Sequence, residues 1–343
     1  MTLNRILIIG LGSIGKRHLR LIRALLPEAD IRILRHQPGT SVPRFADGCF
    51  SNLNEALAFE PQLAVIANPS TYHLDSALPL AKAGAHLFIE KPMAASVKGI
   101  PQLMKISRSQ KSLLTIGYNL RFLPSLQFFR EQLKQGIIGK VLSVRSETGQ
   151  YLPSWRPDTD YRQGVSARKA LGGGVLLELS HEIDYVRWIF GDIEWVSASL
   201  IRQSSLDIDV EDIAHLIAGI SIPAEDSVLV ANINLDFIRH DPVRCCTAIG
   251  EQGSLRWNGL KGEVSCYRAD DNEWQSLFYQ PHQPDESYLA QWQHILNCIK
   301  NGTPPLVSGE DGYRALQIIT AARKSTACCQ RIMIEEAKFE YQG

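Results

Sequence analysis

The stretch Ala85-His86-Leu87-Phe88-Ile89-Glu90-Lys91-Pro92 reads as a buried strand ending on two charged side chains. Proline removes a backbone donor and biases the preceding residue toward extended geometry. In an open parallel α/β sheet that end faces the ligand crevice, so Lys91 is placed for proton chemistry, or else both charges are a solvated strand end. A second stretch, Gly10-Leu11-Gly12-Ser13-Ile14-Gly15, follows an apolar run and precedes a helical pattern. In that setting the first glycine makes a tight turn, the second gives pyrophosphate room and the third lets helix pack closely on strand. The helix amino terminus, with Ser13 and Ile14, supplies phosphate donors. A third stretch, Gly172-Gly173-Gly174, opens a helical pattern running to about residue 190. Spacing of three or four places Glu178, His181, Glu182 and Tyr185 on one face. His181 exchanges a proton near neutral pH and Glu178, one turn earlier, can orient it. The alternatives are a solvated polar face or a metal held through E-x-x-H. No second E-x-x-H or H-x-x-x-H supplies further ligands, so no metal is expected.

The elements that must position these residues alternate over the first 120 residues. Strands are expected at 5–9, 31–34, 63–67, 85–89 and 113–118, with helices at 14–26, 72–84 and 96–109 between them. That alternation means a doubly wound sheet. The second strand ends on Arg35-His36 where an acid would bind the ribose hydroxyls of NAD. An arginine there suits a 2′-phosphate and favours NADP over NAD, unless Arg35 merely stacks on adenine. Asn68 and Pro69, in the turn after the third strand, are candidate cofactor contacts, as is Glu90. His73 is either another such contact or a polar helix-start residue. The strand at 113–118 delivers Tyr118 and Arg121 as candidate substrate contacts.

Beyond residue 120 the pattern changes. A helix at 124–135 leads into a strand at 141–148. Strands at 196–202, 214–220, 227–235, 244–250 and 254–257 follow, too close together for crossover helices and so antiparallel. Helices at 287–301 and 310–326 close the chain, the latter capped by Ser308. The expected fold class is α/β: a Rossmann-type doubly wound parallel sheet, residues 1–120, plus a second α+β domain with an open, mainly antiparallel sheet, residues 121–343. Such a sheet buries one face and leaves the other for solvent or a partner subunit. Arg121, Arg156, Arg162 and Arg168 cluster in sequence near the expected site. Planar guanidinium groups suit carboxylate or phosphate, so they indicate an anionic substrate or are solvated loop arginines.

Composition excludes several classes. Lysine plus arginine and aspartate plus glutamate both total 36, which gives no reason to expect nucleic acid or a membrane surface as partner. No run approaches the roughly 18 apolar residues of a membrane span. Seven cysteines without C-x-x-C spacing fit a reducing compartment, so a cytoplasmic protein is expected.

Taken together, GLGSIG, AGAHLFIEKP, GYNLRF, the triple glycine with HEID, and Ser308-Gly309-Glu310-Asp311-Gly312 resemble the glucose-fructose oxidoreductase / inositol dehydrogenase (Gfo/Idh/MocA) family over essentially the whole chain. The resemblance implies NAD(P)-dependent oxidation or reduction of a sugar, cyclitol or related compound without a metal. It also implies a homodimer or homotetramer formed through the second-domain sheet. By match of motif, Lys91 takes the family's catalytic lysine position and His181 its catalytic histidine position. Many relatives carry an aspartate four residues before that histidine, where Leu177 stands here. The segment from Tyr151 to Arg162 resembles a subgroup associated with surface-polysaccharide or nonulosonic acid sugars. Two rivals to a dehydrogenase remain: a non-catalytic NADP-binding regulator, and cofactor-assisted glycoside cleavage on the same fold.

Overall fold

A computed structural model describes residues 3–35, 41–155, 157–222 and 227–335. His36 and Arg156, both named above, lie outside the described residues. Helices run Ser13–Leu25 (α1), Leu53–Ala58 (α2), His73–Lys82 (α3), Ile100–Ser109 (α4), Pro124–Lys134 (α5), Val175–Glu178 (α6), His181–Phe190 (α7), Glu286–Asn301 (α8) and Gly309–Cys328 (α9). The chain divides into two compact units. The first is Met1–Leu123 with Gln163–Gly173 and Gln283–Leu316; the second is Pro124–Arg162 with Gly174–His282 and Gln317–Gly343. A single cut near residue 120 therefore marks only where the chain first leaves the first unit. Packing explains the return, since Trp292, Ile295 and Ile299 of α8 join the same buried cluster as Ile6, Ile8, Ile22 and Phe88. Full burial of one such side chain is worth about 1.5–3 kcal/mol.

The first unit is built on six parallel strands among the described residues: β1 (Arg5–Ile9), β2 (Asp30–Leu34), β3 (Gly48–Phe50), β4 (Leu63–Ile66), β5 (His86–Ile89) and β6 (Leu114–Ile116). Their order, β3-β2-β1-β4-β5-β6, reverses between β1 and β4, the switch point at which such sheets bind ligands. The four residues of β4 are all buried, as are the last three of β5. That burial is why both read as near-continuous apolar runs. Helix α4 begins at Ile100 rather than 96 because Gly99 adopts a left-handed conformation (φ 85°) directly before it.

The second unit carries a nine-stranded sheet among the described residues: β7 (Val141–Gly149), β8 (Ile193–Ile201), β9 (Ile213–Ile222), β10 (Ser227–Asp236), β11 (Val243–Gly250), β12 (Gly253–Asn258), β13 (Glu263–Arg268), β14 (Trp274–Tyr279) and β15 (Ile332–Met333). The order is β14-β13-β12-β11-β7-β10-β9-β8-β15. Its pairings are antiparallel except that β7 runs parallel to β10. The excursion between those two strands contains α6, α7, β8 and β9, which supplies the crossover length a parallel pair needs. One face is covered by α5 and α7. There the Trp257 indole N–H donates to Ser125 Oγ (3.0 Å), and the hydroxyls of Tyr185 and Ser146 meet at 2.7 Å. Along β10, Leu229, Ala231, Ile233 and Leu235 are buried, whereas Val228 is half exposed, as is Ile217 on β9. Among the described residues, no helix is long and apolar enough to cross a membrane.

Candidate active site

The geometry of β1 and α1 gives each glycine of the loop a distinct setting. Gly10 sits at φ +91°, and a Cβ there would lie 2.6 Å from the Asn68 nitrogen, so only glycine lets the turn pass beside the loop after β4. A Cβ on Gly15 would fall onto the Gly10 carbonyl oxygen; its absence lets α1 pack on the strand end. At Gly12 the opposite holds, for a Cβ would meet nothing within 4 Å. Gly12 stands at the amino terminus of α1 with no side-chain cap and no acid in the first turn. The helix's first donors, around Ser13 and Ile14, and its positive dipole end are left for a ligand phosphate. A cleft of about 470 Å³ adjoins this turn, lined by Leu11, Ser13, Lys16, Arg17, Arg44 and Phe45 among others. These features fit the pyrophosphate of a dinucleotide.

Arg35 follows β2, is half-buried, and donates from Nη2 to the Ser41 carbonyl (2.6 Å). After β4, Asn68 and Pro69 are partly exposed. His73 is not, at 1% exposure. Its Nε2 lies 2.7 Å from the Asn68 carbonyl oxygen and its Nδ1 3.1 Å from that of Pro92. It therefore ties the loop after β4 to the loop after β5, which is the work of a positioning residue rather than of a ligand contact. Burial pushes its pKa down, against the raising effect of those carbonyls.

Glu90 and Lys91 stand at the carboxyl end of β5, and the Lys91–Pro92 peptide is cis. Lys91 is partly exposed. Glu90 is buried; its Oε2 accepts the Lys91 backbone N–H (3.0 Å) and its Oε1 lies 2.6 Å from His18 Nε2. His18, fully buried on α1, accepts at Nδ1 from the Trp292 indole N–H (2.9 Å). An indole N–H can only donate, so the imidazole proton is assigned to Nε2, where it donates to Glu90. Sequence reasoning missed His18, although it falls four residues after Ile14 and four before Ile22 on the apolar face of α1. A polar side chain on a buried face needs a partner, and that signal could have found it. Trp292 carried no such signal, being more than 270 positions away.

Two expected substrate contacts are corrected. Tyr118 is fully buried. Arg121 is 2% exposed, pairs through Nη2 with Asp311 (3.0 Å) and donates through Nη1 to the Leu306 carbonyl (3.1 Å). It clamps the chain's return to the first unit. Of the other arginines, Arg168 is half-buried and Arg162 is exposed beside Asp160 (2.8 Å). Arg121 and Arg162 are thus paired to carboxylates of the chain itself, which leaves Arg168 as the described member of the cluster for a substrate.

The third stretch is two helices rather than one. The chain leaves helical geometry at Leu179 (ψ 29°), between α6 and α7. Glu178, partly exposed, thus ends one helix and His181 begins the next, so they do not share a continuous helical face. The polar face of α7 is not solvated: His181 is 9% exposed and Glu182, Asp184 and Tyr185 at most 1%. Glu182 Oε1 accepts from Thr148 Oγ1 (2.9 Å) and from Arg244 Nε (2.8 Å). Burial pushes the Tyr185 phenol and the neighbouring Cys246 thiol well above their ordinary pKa values. Each of the three glycines yields room to a different neighbour. A Cβ would strike Ser70 at Gly172, the Val165 carbonyl at Gly173 and the Glu211 carboxylate at Gly174.

Residues 4–118 match the domain described as the oxidoreductase family's NAD-binding Rossmann fold, and residues 130–334 its C-terminal alpha/beta domain. The chain belongs to the Gfo/Idh/MocA oxidoreductase family. An uncharacterized oxidoreductase of Synechocystis is 30% identical over 217 residues, 62% of this chain and 56% of its own length. Myo-inositol 2-dehydrogenase of Thermotoga maritima is 24% identical and aligns over 97% of this chain and 99% of its own. Among solved structures, the WlbA dehydrogenase of Bordetella pertussis, in complex with NADH and UDP-GlcNAcA, superposes with a TM-score of 0.79 at 21% identity. That match covers 98% of this chain and 100% of the other. This Gfo/Idh/MocA member is therefore an oxidoreductase with a nicotinamide-cofactor domain.

Proposed function

We propose that the protein is a dehydrogenase or reductase that moves a hydride between NADP and a hydroxyl or carbonyl carbon of a sugar, sugar acid or nucleotide sugar. The observation that carries this reading is Lys91, held at the carboxyl end of β5 beside the switch point of a sheet whose glycine loop fits a dinucleotide. When bound, the nicotinamide supplies the hydride acceptor or donor. Gly10, Gly12, Ser13, Ile14 and Gly15 would hold the pyrophosphate, with Asn68 and Pro69 along the same edge. Lys91 hydrogen-bonds the reacting oxygen, and His181 is its partner in moving the hydroxyl proton; Glu178 and Arg168 are the remaining candidate substrate contacts. NADP is favoured because β2 runs into Arg35 where an NAD site has an acid.

The relatives' carbohydrate substrates support the substrate class. The half-exposed apolar side chains Ile217 and Val228 support a homo-oligomer formed through the open face of the nine-stranded sheet. Seven cysteines, all unpaired, support a reducing cytoplasm.

The decisive assay follows absorbance of the reduced cofactor with NADP or NAD against inositols, anhydrosugars and nucleotide-linked sugar acids. Turnover on one of these is expected with NADP preferred. Lys91→Ala and His181→Ala are each expected to lower kcat by about 10² to 10⁴. Near-wild-type turnover of Lys91→Ala with normal NADP binding would overturn the assignment, and product formed without net cofactor reduction would point to cofactor-assisted cleavage.

A further inference from the structure

Glu90 is a buried carboxylate that meets a donor at each of its oxygens. His18 Nε2–H reaches one oxygen and the Lys91 backbone N–H the other (2.6 and 3.0 Å). The chain of donors ends at Trp292, whose indole N–H has no acceptor capacity to pass on. The relay Trp292 to His18 to Glu90 thus presents N–H groups to the carboxyl, and an ionised carboxylate is the acceptor-only form that suits them. It is also walled in. His18 lies edge-on to Phe88 (4.9 Å) and Trp292 (5.5 Å). On the adjacent strand end, a Cβ at Gly117 would lie 2.9 Å from Glu90 Oε2, so glycine leaves the carboxylate its space.

The position of this charge gives it a function. In a sheet of order β3-β2-β1-β4-β5-β6, the loop after β1 takes the pyrophosphate and the end of β2 the adenosine ribose. The β4-β5-β6 half is left for the nicotinamide half of the dinucleotide. Oxidised nicotinamide carries a positive ring charge that the reduced ring lacks. We propose that Glu90, fixed by His18 and Trp292, is a built-in negative charge that biases the cofactor site toward the oxidised form and so sets the direction in which the enzyme is poised. A unit charge acting through partly buried protein is enough to shift a binding ratio by about tenfold. The proposal rests on nicotinamide binding and is independent of the substrate assignment.

The test is isothermal calorimetry of NADP+ and NADPH with the full-length wild type and four isosteric or near-isosteric variants. Glu90→Gln removes the charge and keeps the shape; Glu90→Asp and Glu90→Asn repeat the comparison one methylene shorter, in case Glu90→Gln does not fold. The oxidised-to-reduced affinity ratio is expected to be retained within about threefold in Glu90→Asp. It should move about tenfold toward NADPH in Glu90→Gln and Glu90→Asn. His18→Gln, whose amide N–H can replace Nε2–H, is expected to keep the wild-type ratio. Equal ratios in wild type, Glu90→Gln and Glu90→Asn would overturn the proposal and leave Glu90 as a backbone anchor for Lys91. Failure of the wild type to bind either nucleotide would instead overturn the cofactor reading, and the proposal with it.

Discussion

Arg121 offers the sharpest separation between a structural and a substrate-binding role. Its guanidinium is 2% exposed and faces Asp311, itself mostly buried at 17% side-chain exposure. Arg121→Met keeps much of the volume while deleting the charge. Removing one member of a buried ion pair costs about 3–5 kcal/mol, because the other charge is left stranded. Here Asp311 Oδ2 retains the Ser308 N–H and hydroxyl (2.7 and 2.8 Å), while Oδ1 loses the Arg121 donor. The lower end of the range, about 3 kcal/mol, is therefore expected, or roughly a 150-fold change in the unfolding equilibrium. With a urea m-value of roughly 1–3 kcal/mol/M, the midpoint should fall by about 1–3 M at unchanged m. Asp311→Asn in the Arg121→Met background should recover about 1 kcal/mol by removing the stranded charge. Urea titration followed by circular dichroism reads both effects. An Arg121→Met midpoint equal to wild type, with the loss confined to KM, would refute the clamp and restore Arg121 to the substrate site.

Gly12→Ala should fold with wild-type stability, since its Cβ meets nothing, yet lose at least tenfold in NADP(H) affinity by calorimetry. Gly15→Ala should fail to fold normally, its Cβ colliding with the Gly10 carbonyl. The pH dependence of stability has a defined sign. Burial lowers the folded-state pKa of His73, and burial does the same to His86 and His294. Their contribution is intact above the unfolded value near 6.5 and is lost as pH falls below it, by up to about 1.4 kcal/mol per pH unit for the fully buried His73 and by less for the solvent-screened His86 and His294. Urea midpoints measured between pH 7.5 and 5 should decline accordingly, and His73→Gln should flatten the slope. Thiol titration should find the exposed Cys328 and Cys329 fast. The buried Cys246, whose thiol is pushed well up by burial, should be silent until denaturant is added.

How far the sequence could be read depended on whether a feature was local. The glycine loop, the strand ends carrying Arg35, Asn68 and Lys91, and the doubly wound order rest on patterns within a few dozen residues. Each was legible, because a buried parallel strand and its turn leave a continuous apolar run and a glycine signature. Burial of polar groups was not legible. Tyr118, Arg121, His73 and Glu182 all look like site residues in one dimension, since a polar side chain at a strand end or on a helix face is ordinarily aimed at water or ligand. What buries them is distant in sequence: Asp311 for Arg121, Arg244 for Glu182. The break between α6 and α7 was hidden for a related reason. Val175 to Phe190 contains neither proline nor glycine, so local propensity favours one helix, yet the chain leaves helical geometry at Leu179. Glu90 was hidden in the same way. Beside a lysine it reads either as a candidate cofactor contact or as half of a solvated pair. Only the contact with His18, 72 residues earlier, and the closure of that contact by Trp292 make it a charge whose removal should be felt by the cofactor rather than by the solvent.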